Sequence, residues 1–303
     1  MDKLALSTTT NPDGTFSTRW QWWQNFDLDI PGGGSRRPVS GGTVTVSLAE
    51  RWIEDRPILA EICAIFQLMC VDEVHGKNRL GSNIQISVSF AAIRKALSKA
   101  ALKTTDRGDT EKYNVALFTK FLATKYFAAD VISAGASKWQ PFEFECPQNT
   151  HIFAPHLPSV DIPSPVGAIS VTHHAINRIV ERRMTEGLAE YVRGDLTTIP
   201  NVRWSRAWRW LERVLPVTTV ADVPRHVMAK IVAKYGTEIK ALRCIGSQSV
   251  FVLKEARHGW DLVTVLDDNF TNRLTSAHKL PVQCGQELVF PGGFAENRLR
   301  NSM

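Results

Sequence analysis

The chain predicts an α+β protein in two parts: a mixed α/β N-terminal domain, then a C-terminal domain of helices packed on an antiparallel sheet. Three observations predict it. In the first half, period-two stretches such as Asn83 to Phe90 alternate with stretches of period 3.6 such as Pro57 to Val71. In the second half, helical patterns come first and three strand patterns follow, the order expected of segregated layers. Between the halves, residues 147 to 166 hold Pro147, Pro155, Pro158, Pro163 and Pro165, too dense in proline for a helix or a central strand. That stretch reads as a linker. At 303 residues and 44% hydrophobic, the chain can bury two cores.

Residues 1 to 42 are rich in Thr, Ser, Gly, Asn and Pro and read as a flexible or irregular segment. Pro31-Gly32-Gly33-Gly34-Ser35 is no phosphate loop, because no Gly-Lys-Ser/Thr follows it. Trp20, Trp22 and Trp23 admit two readings, packing against the domain or stacking on bases. The mixed domain spans 43 to 146. Gly42 to Ser47 alternates as a strand, and Pro57 to Val71 carries Ile58, Leu59, Ile62, Ile65, Phe66 and Met69 on one broad apolar face. Asn83 to Phe90 predicts a second strand feeding a helix from Ala91 to Leu102. Thr110 to Val131 predicts another helix, and Phe142 to Glu145 another strand. No chemistry is legible in this half.

The C-terminal domain, 167 to 290, is organised around the helix that follows Thr172. Ala175, Ile176, Ile179, Val180 and Met184 recur at spacings of three and four, which is a core stripe. His174, Arg178, Glu181 and Arg182 occupy a neighbouring face at the same spacings. Thr172 is the predicted N-cap, and Gly187 lies beyond the end. That polar face reads either as a solvated, ion-paired surface or as an anion site, with guanidinium forks beside an imidazole that titrates near neutrality.

A short helix through Leu188 and Val192 follows, then Arg203 to Arg213. There Trp204, Trp208 and Leu211 share one face, and Arg206, Arg209 and Arg213 another. Interleaved Arg and Trp fit a basic outer face over a core, or a base-stacking surface. Ala221 to Tyr235 is a further helix, and Ile239 to Ile245, Val250 to Glu255 and Leu262 to Asp267 are strands. A hairpin turning about His258 puts Lys254 and Thr264 on one face. Residues 291 to 303 read as a loose tail.

Charge is uneven. From 165 to 280, 17 Lys and Arg stand against 11 Asp and Glu, which accounts for the whole net charge of +6. A local basic excess points to a polyanionic partner. Five cysteines without a CxxC pair give no zinc or disulfide framework, and His151 and His156 lack ligand partners nearby in sequence; no metal or cofactor is expected. No apolar run reaches the ~18 residues of a membrane span, and the first residues lack a basic-then-apolar layout. The expectation is a cytoplasmic protein without a membrane partner.

The string His174-Ala175-x-x-Arg178-x-x-Glu181-Arg182 resembles the HAxxRxxER opening helix of bacterial toxin-like domains of the BrnT type, whose fold is similar to RelE and barnase-like ribonucleases. Trp260 to Leu266 resembles a strand of those domains that reads vvTvy. The resemblance implies a RelE/barnase-like C-terminal fold and a metal-independent endoribonuclease, a toxin in a toxin–antitoxin pair, that cleaves RNA by attack of the ribose 2′-hydroxyl. Such chemistry needs a base, an acid and cations for the phosphorane. The expected set is His174, Glu181 and Lys254 for proton transfer, with Arg178, Arg182, Arg206, Arg209, Arg257 and Thr264 holding phosphate or RNA. Two alternatives are a non-catalytic nucleic-acid-binding or regulatory protein, and an interaction module that docks on an acidic partner such as an antitoxin.

Overall fold

A computed structural model describes residues 1–24, 37–77, 79–98, 110–133, 142–154, 157–188, 195–256 and 259–267. The architecture is α+β, with two six-stranded sheets, each backed by helices.

The first sheet begins at the N-terminus. β1 (Asp2–Thr10), β2 (Phe16–Trp23) and β3 (Ser40–Leu48) form an antiparallel meander. β4 (Ile84–Val88) adds parallel to β1, and β5 (Asp130–Ser133) parallel to β4. On the other edge β6 (Gln148–Ala154) runs parallel to β3. Its register starts at Gly42 opposite Gln148, where a side chain on the glycine would strike the Gln148 carbonyl. Parallel connections need crossover elements, and helices supply them. α1 (Arg56–Phe66), continued by a π-helical turn over Gln67–Val71, joins β3 to β4; α2 (Ala91–Ser98), α3 (Thr110–Phe118) and α4 (Lys120–Thr124) lie between β4 and β5. Leu4, Leu6, Trp20, Trp22, Val44, Val46 and Ile86 pack under Leu59, Ile62, Ile65, Phe118 and Phe121 in one core.

Four expectations are corrected here. Residues 2–23 are two interior strands rather than an irregular segment, because Leu4, Leu6, Trp20 and Trp22 alternate inward and are at most 6% exposed. The tryptophans at 20 and 22 are therefore core and not stacking surfaces. The helix expected over 110 to 131 breaks at Thr119 and gives way to β5, whose partner β4 supplies ladder bonds that no local periodicity announces. Phe142 to Glu145 is not a strand. The proline-rich stretch holds β6, which completes the first sheet, and β7 (Asp161–Ser164), the first strand of the second. Pro163 is tolerated because β7 is an edge strand.

The second sheet has the order β7, β8 (Gly167–Val171), β12 (Gly259–Asp267), β11 (Ser249–Ala256), β10 (Ile239–Cys244), β9 (Thr219–Val220). All its pairs are antiparallel except β8 with β12. α5 (His173–Arg183) and α6 (Asn201–Val214) bury Ile176, Ile179, Val180, Trp204, Trp208 and Leu211 against Phe251, Leu253, Leu262 and Val265. α7 (Arg225–Tyr235) packs Val227 and Ile231 on Val252. Strand neighbours alternate faces, so Val252 looks away from Phe251 and Leu253, and α7 covers the side of the sheet opposite α5 and α6. The helix expected through Leu188 and Val192, the turn at His258 and the tail fall wholly or largely outside the described residues.

The halves meet through a short aromatic stack. Phe127 lies between Trp204, at 4.8 Å between ring centroids, and His173, at 5.8 Å. His173 Nδ1–H donates to the Ala123 carbonyl at 2.8 Å, and Lys120 pairs with Asp261 at 3.8 Å.

Candidate functional site

α5 leaves β8 at Thr172, and the cap geometry sets its direction. The Thr172 side chain accepts from Ala175 N at 3.1 Å, and its hydroxyl donates to the Leu262 carbonyl at 2.7 Å. The cap thus ties the helix start to β12 at the point where the β8 ladder ends, since β8 pairs β12 only as far as Leu262. Further along, the Arg182 guanidinium donates to the Val265 carbonyl. A helix side chain there takes the hydrogen-bonding role that another strand would fill.

This geometry divides the predicted site residues. His174 is exposed at the first turn of α5. Burial of part of its ring, and then the nearby positive charges of Arg178 and Lys234, push its pKa below the ordinary imidazole value, with Glu181 opposing. The ring is therefore neutral at pH 7, with one nitrogen free of a proton and able to take one. Arg178 is half-buried and donates to Glu181 at 2.6 Å. That i,i+3 pair engages both groups at once, so Glu181 orients an arginine rather than standing ready as an acid. Arg182 anchors the edge of β12 through Val265, which is a structural duty that the spacing of α5 does not disclose.

Arg206 and Arg209 are exposed on α6. The tryptophans interleaved with them are not. Trp204 and Trp208 are 4% and 1% exposed, and their indole N–H groups donate to Asn177 and Glu212. Trp210 packs on Phe251 under the Arg183 guanidinium. The α6 surface therefore offers cations without aromatic platforms, and base stacking there is ruled out by packing.

Lys254 and Thr264 share a face of the sheet, as expected, because Thr264 pairs with Val252, two residues before Lys254. The β11–β12 register then shifts between Val252 and Leu253, which sets Lys254 opposite Asp261 and turns Leu262 to the other face. Thr264 is 4% exposed, on the side of the sheet that α7 covers. Lys254 is exposed at the end of β11. A bulge cannot be read from alternation, because it is the interruption of alternation. Arg257 lies outside the described residues.

Comparison with known proteins finds no matching family model, no similar curated protein and no similar solved structure.

Sequence reasoning missed two buried titratable groups in the N-terminal half. Glu61, on α1, is fully buried; it accepts from the Thr8 hydroxyl at 2.6 Å and from Ser89 N at 2.7 Å, while Thr8 also shares a hydrogen bond with Thr18. Burial pushes its pKa up, and the hydrogen bonds from Ser89 and Thr8 oppose that. His75 is 5% exposed, set edge-on to Trp22 and Tyr126, and burial pushes its pKa down. The only signal for Glu61 was one charge inside an otherwise apolar helical face. Cys63 and Cys70, expected as small core residues, have thiols pushed up by burial to about 12 and about 11.

A cleft of about 370 Å³ is lined by Leu117, Lys120, Leu157, Ser159, Trp260 and Asp261 among others, and by none of the predicted site residues. Among the described residues no three His, Cys, Asp or Glu side chains gather as a metal site. No described helix is long and apolar enough to cross a membrane.

Proposed function

We propose that the C-terminal half binds RNA through its backbone phosphates. The observation that carries this reading is the outer face of α6, where Arg206 and Arg209 stand in solvent while every tryptophan of the helix is turned inward or covered. Cations without aromatic platforms neutralise phosphate and carry little base discrimination. The basic excess of the 165 to 280 segment agrees with a polyanionic partner. Binding should weaken steeply with salt. Arg206→Ala with Arg209→Ala should lower the log–log salt slope by about 1.4 for a single strand, from about 0.7 per phosphate contact. Salt-independent binding, or none, defeats the reading.

A second reading, endoribonuclease action by a BrnT- or RelE-like toxin domain, is favoured by one observation, the exposed and neutral imidazole of His174 beside Arg178. In that reaction His174 takes the 2′-hydroxyl proton, the 2′-oxygen bonds to phosphorus, and the bond to the 5′-oxygen breaks as a second group returns a proton. Arg178 is the adjacent cation for the phosphorane, and Lys254 is left as the acid. His174→Ala should then reduce cleavage by about 10²- to 10⁴-fold while leaving RNA affinity nearly unchanged. Intact RNA after incubation with the unaltered protein would leave phosphate binding as the function. An acidic antitoxin partner would occupy the same cations and compete with RNA.

A further inference from the structure

The cations on α5 are engaged with Glu181 and Val265, and α6 carries Glu212 among its exposed arginines. α7 differs from both. Its eleven residues, Arg225–Tyr235, contain no carboxylate. Val227 and Ile231 are buried, and Met228, Val232 and Tyr235 are half-buried. At 100° per residue, the remaining positions fall on one continuous outer face made of Arg225, His226, Ala229, Lys230, Ala233 and Lys234, every one of them exposed.

Along that face His226, Lys230 and Lys234 follow one another at i, i+4 and i+8, each step a rise of about 6 Å. Ala229 and Ala233 lie beside them and leave a low shelf between the long side chains. Among the described residues, Arg225, Lys230 and Lys234 form no ion pair with a carboxylate; Lys234 lies over the Tyr235 ring at 5.0 Å, which leaves its ammonium in solvent. Asp222 and Glu238 are exposed beyond either end of the helix, outside the stripe. Lys234, at the C-terminal end, is close enough to His174 on α5 to repel its proton.

We propose that the outer face of α7 is a landing track for the sugar–phosphate backbone of an RNA strand. The inference rests on the RNA-binding reading and adds a site to it that the α5 and α6 residues do not contain. Two features select this occupant over an acidic protein. A specific protein interface is anchored by apolar or aromatic side chains set in pockets, and this face exposes none. A row of evenly spaced cations over small residues supplies what a polyphosphate strand needs, which is charge neutralisation and close approach without sequence readout.

The test uses the full chain and a fluorescein-labelled 20-nucleotide oligouridylate, followed by anisotropy across a salt series. The Lys230→Glu/Lys234→Glu double variant should bind at least tenfold more weakly, and the Lys230→Gln/Lys234→Gln variant should lower the salt slope by about 1.4. A charge-matched control in the N-terminal half, Lys77→Glu/Arg94→Glu, should leave affinity within about twofold. Thermal melting checks that each variant is folded, and all four altered residues are exposed. If the α7 variants bind as the unaltered protein does while Arg206→Ala/Arg209→Ala weakens binding, the track is wrong and the RNA reading survives. Equal losses in the control and the α7 variants overturn the track, because they report overall charge alone. Polyglutamate bound as tightly as the oligonucleotide overturns the choice of partner. If the unaltered protein fails to bind the oligonucleotide at any salt, both readings fall.

Discussion

Glu61 shows most directly how one side chain is held in an environment that opposes its charge. Its two oxygens accept from Thr8 and Ser89, yet full burial outweighs those bonds and raises the pKa above the ordinary 4.5. The folded state then holds a proton that the unfolded state releases, so stability falls as pH rises from about 4.5 through the raised folded value. Below 4.5 both states are protonated and that loss is absent. Glu61→Gln can keep an acceptor for Ser89 N and donate to the Thr8 hydroxyl, which passes its own proton to Thr18. The Gln variant should therefore fold with a flatter stability–pH curve, measured by urea midpoints between pH 4 and 8. Glu61→Ala leaves Ser89 N–H without its acceptor and opens a cavity, and should cost about 2–4 kcal/mol. An unchanged pH dependence in the Gln variant would contradict this account.

At the scale of the element, α5 is the part of the chain where local and long-range requirements coincide. Thr172 caps the helix and ties it to β12 with the same hydroxyl. Thr172→Ala removes both bonds and should cost about 1–2 kcal/mol, of which the cap alone is about 1; Thr172→Ser should restore most of it. Equal denaturation midpoints for Thr172→Ala and the unaltered protein would count against the tie. Much of this element is legible in sequence: the apolar spacing, the cap and the start of the helix are as read. The fates of Arg178 and Arg182 are not, because spacing places a side chain on a face without naming what the face meets. The same holds for α7, whose helical pattern is plain but whose acid-free outer stripe gains meaning only when Val227 and Ile231 define its inner side. The least legible element is β1, since Thr-rich alternation resembles loop composition until Trp20 and Trp22 in the neighbouring strand are seen inside.

Over the whole molecule, Phe127 belongs to a joint between the two sheets. Phe127, 39% exposed, sits between His173 and Trp204, and His173 Nδ1–H reaches back to Ala123. Phe127→Ala should cost about 1–2 kcal/mol and raise hydrogen exchange in the first turn of α5 together with the end of α4. Exchange that changes in only one of the two would show that the stack does not link them.

By itself the sequence determined the α+β class, the helices around Ile62, Ile179 and Leu211, the Thr172 cap, and the concentration of positive charge after residue 165. These depend on periodicity and composition, which act over a few neighbouring residues. Tertiary structure alone decided that residues 2–23 lie inside a sheet, that a bulge beside Val252 turns Leu262 off the face it was expected to share with Lys254, and that Arg182 belongs to the edge of β12. The physical reason is that strand pairing, burial and a charge's partner are set by residues tens of positions away, and no local pattern carries that distance.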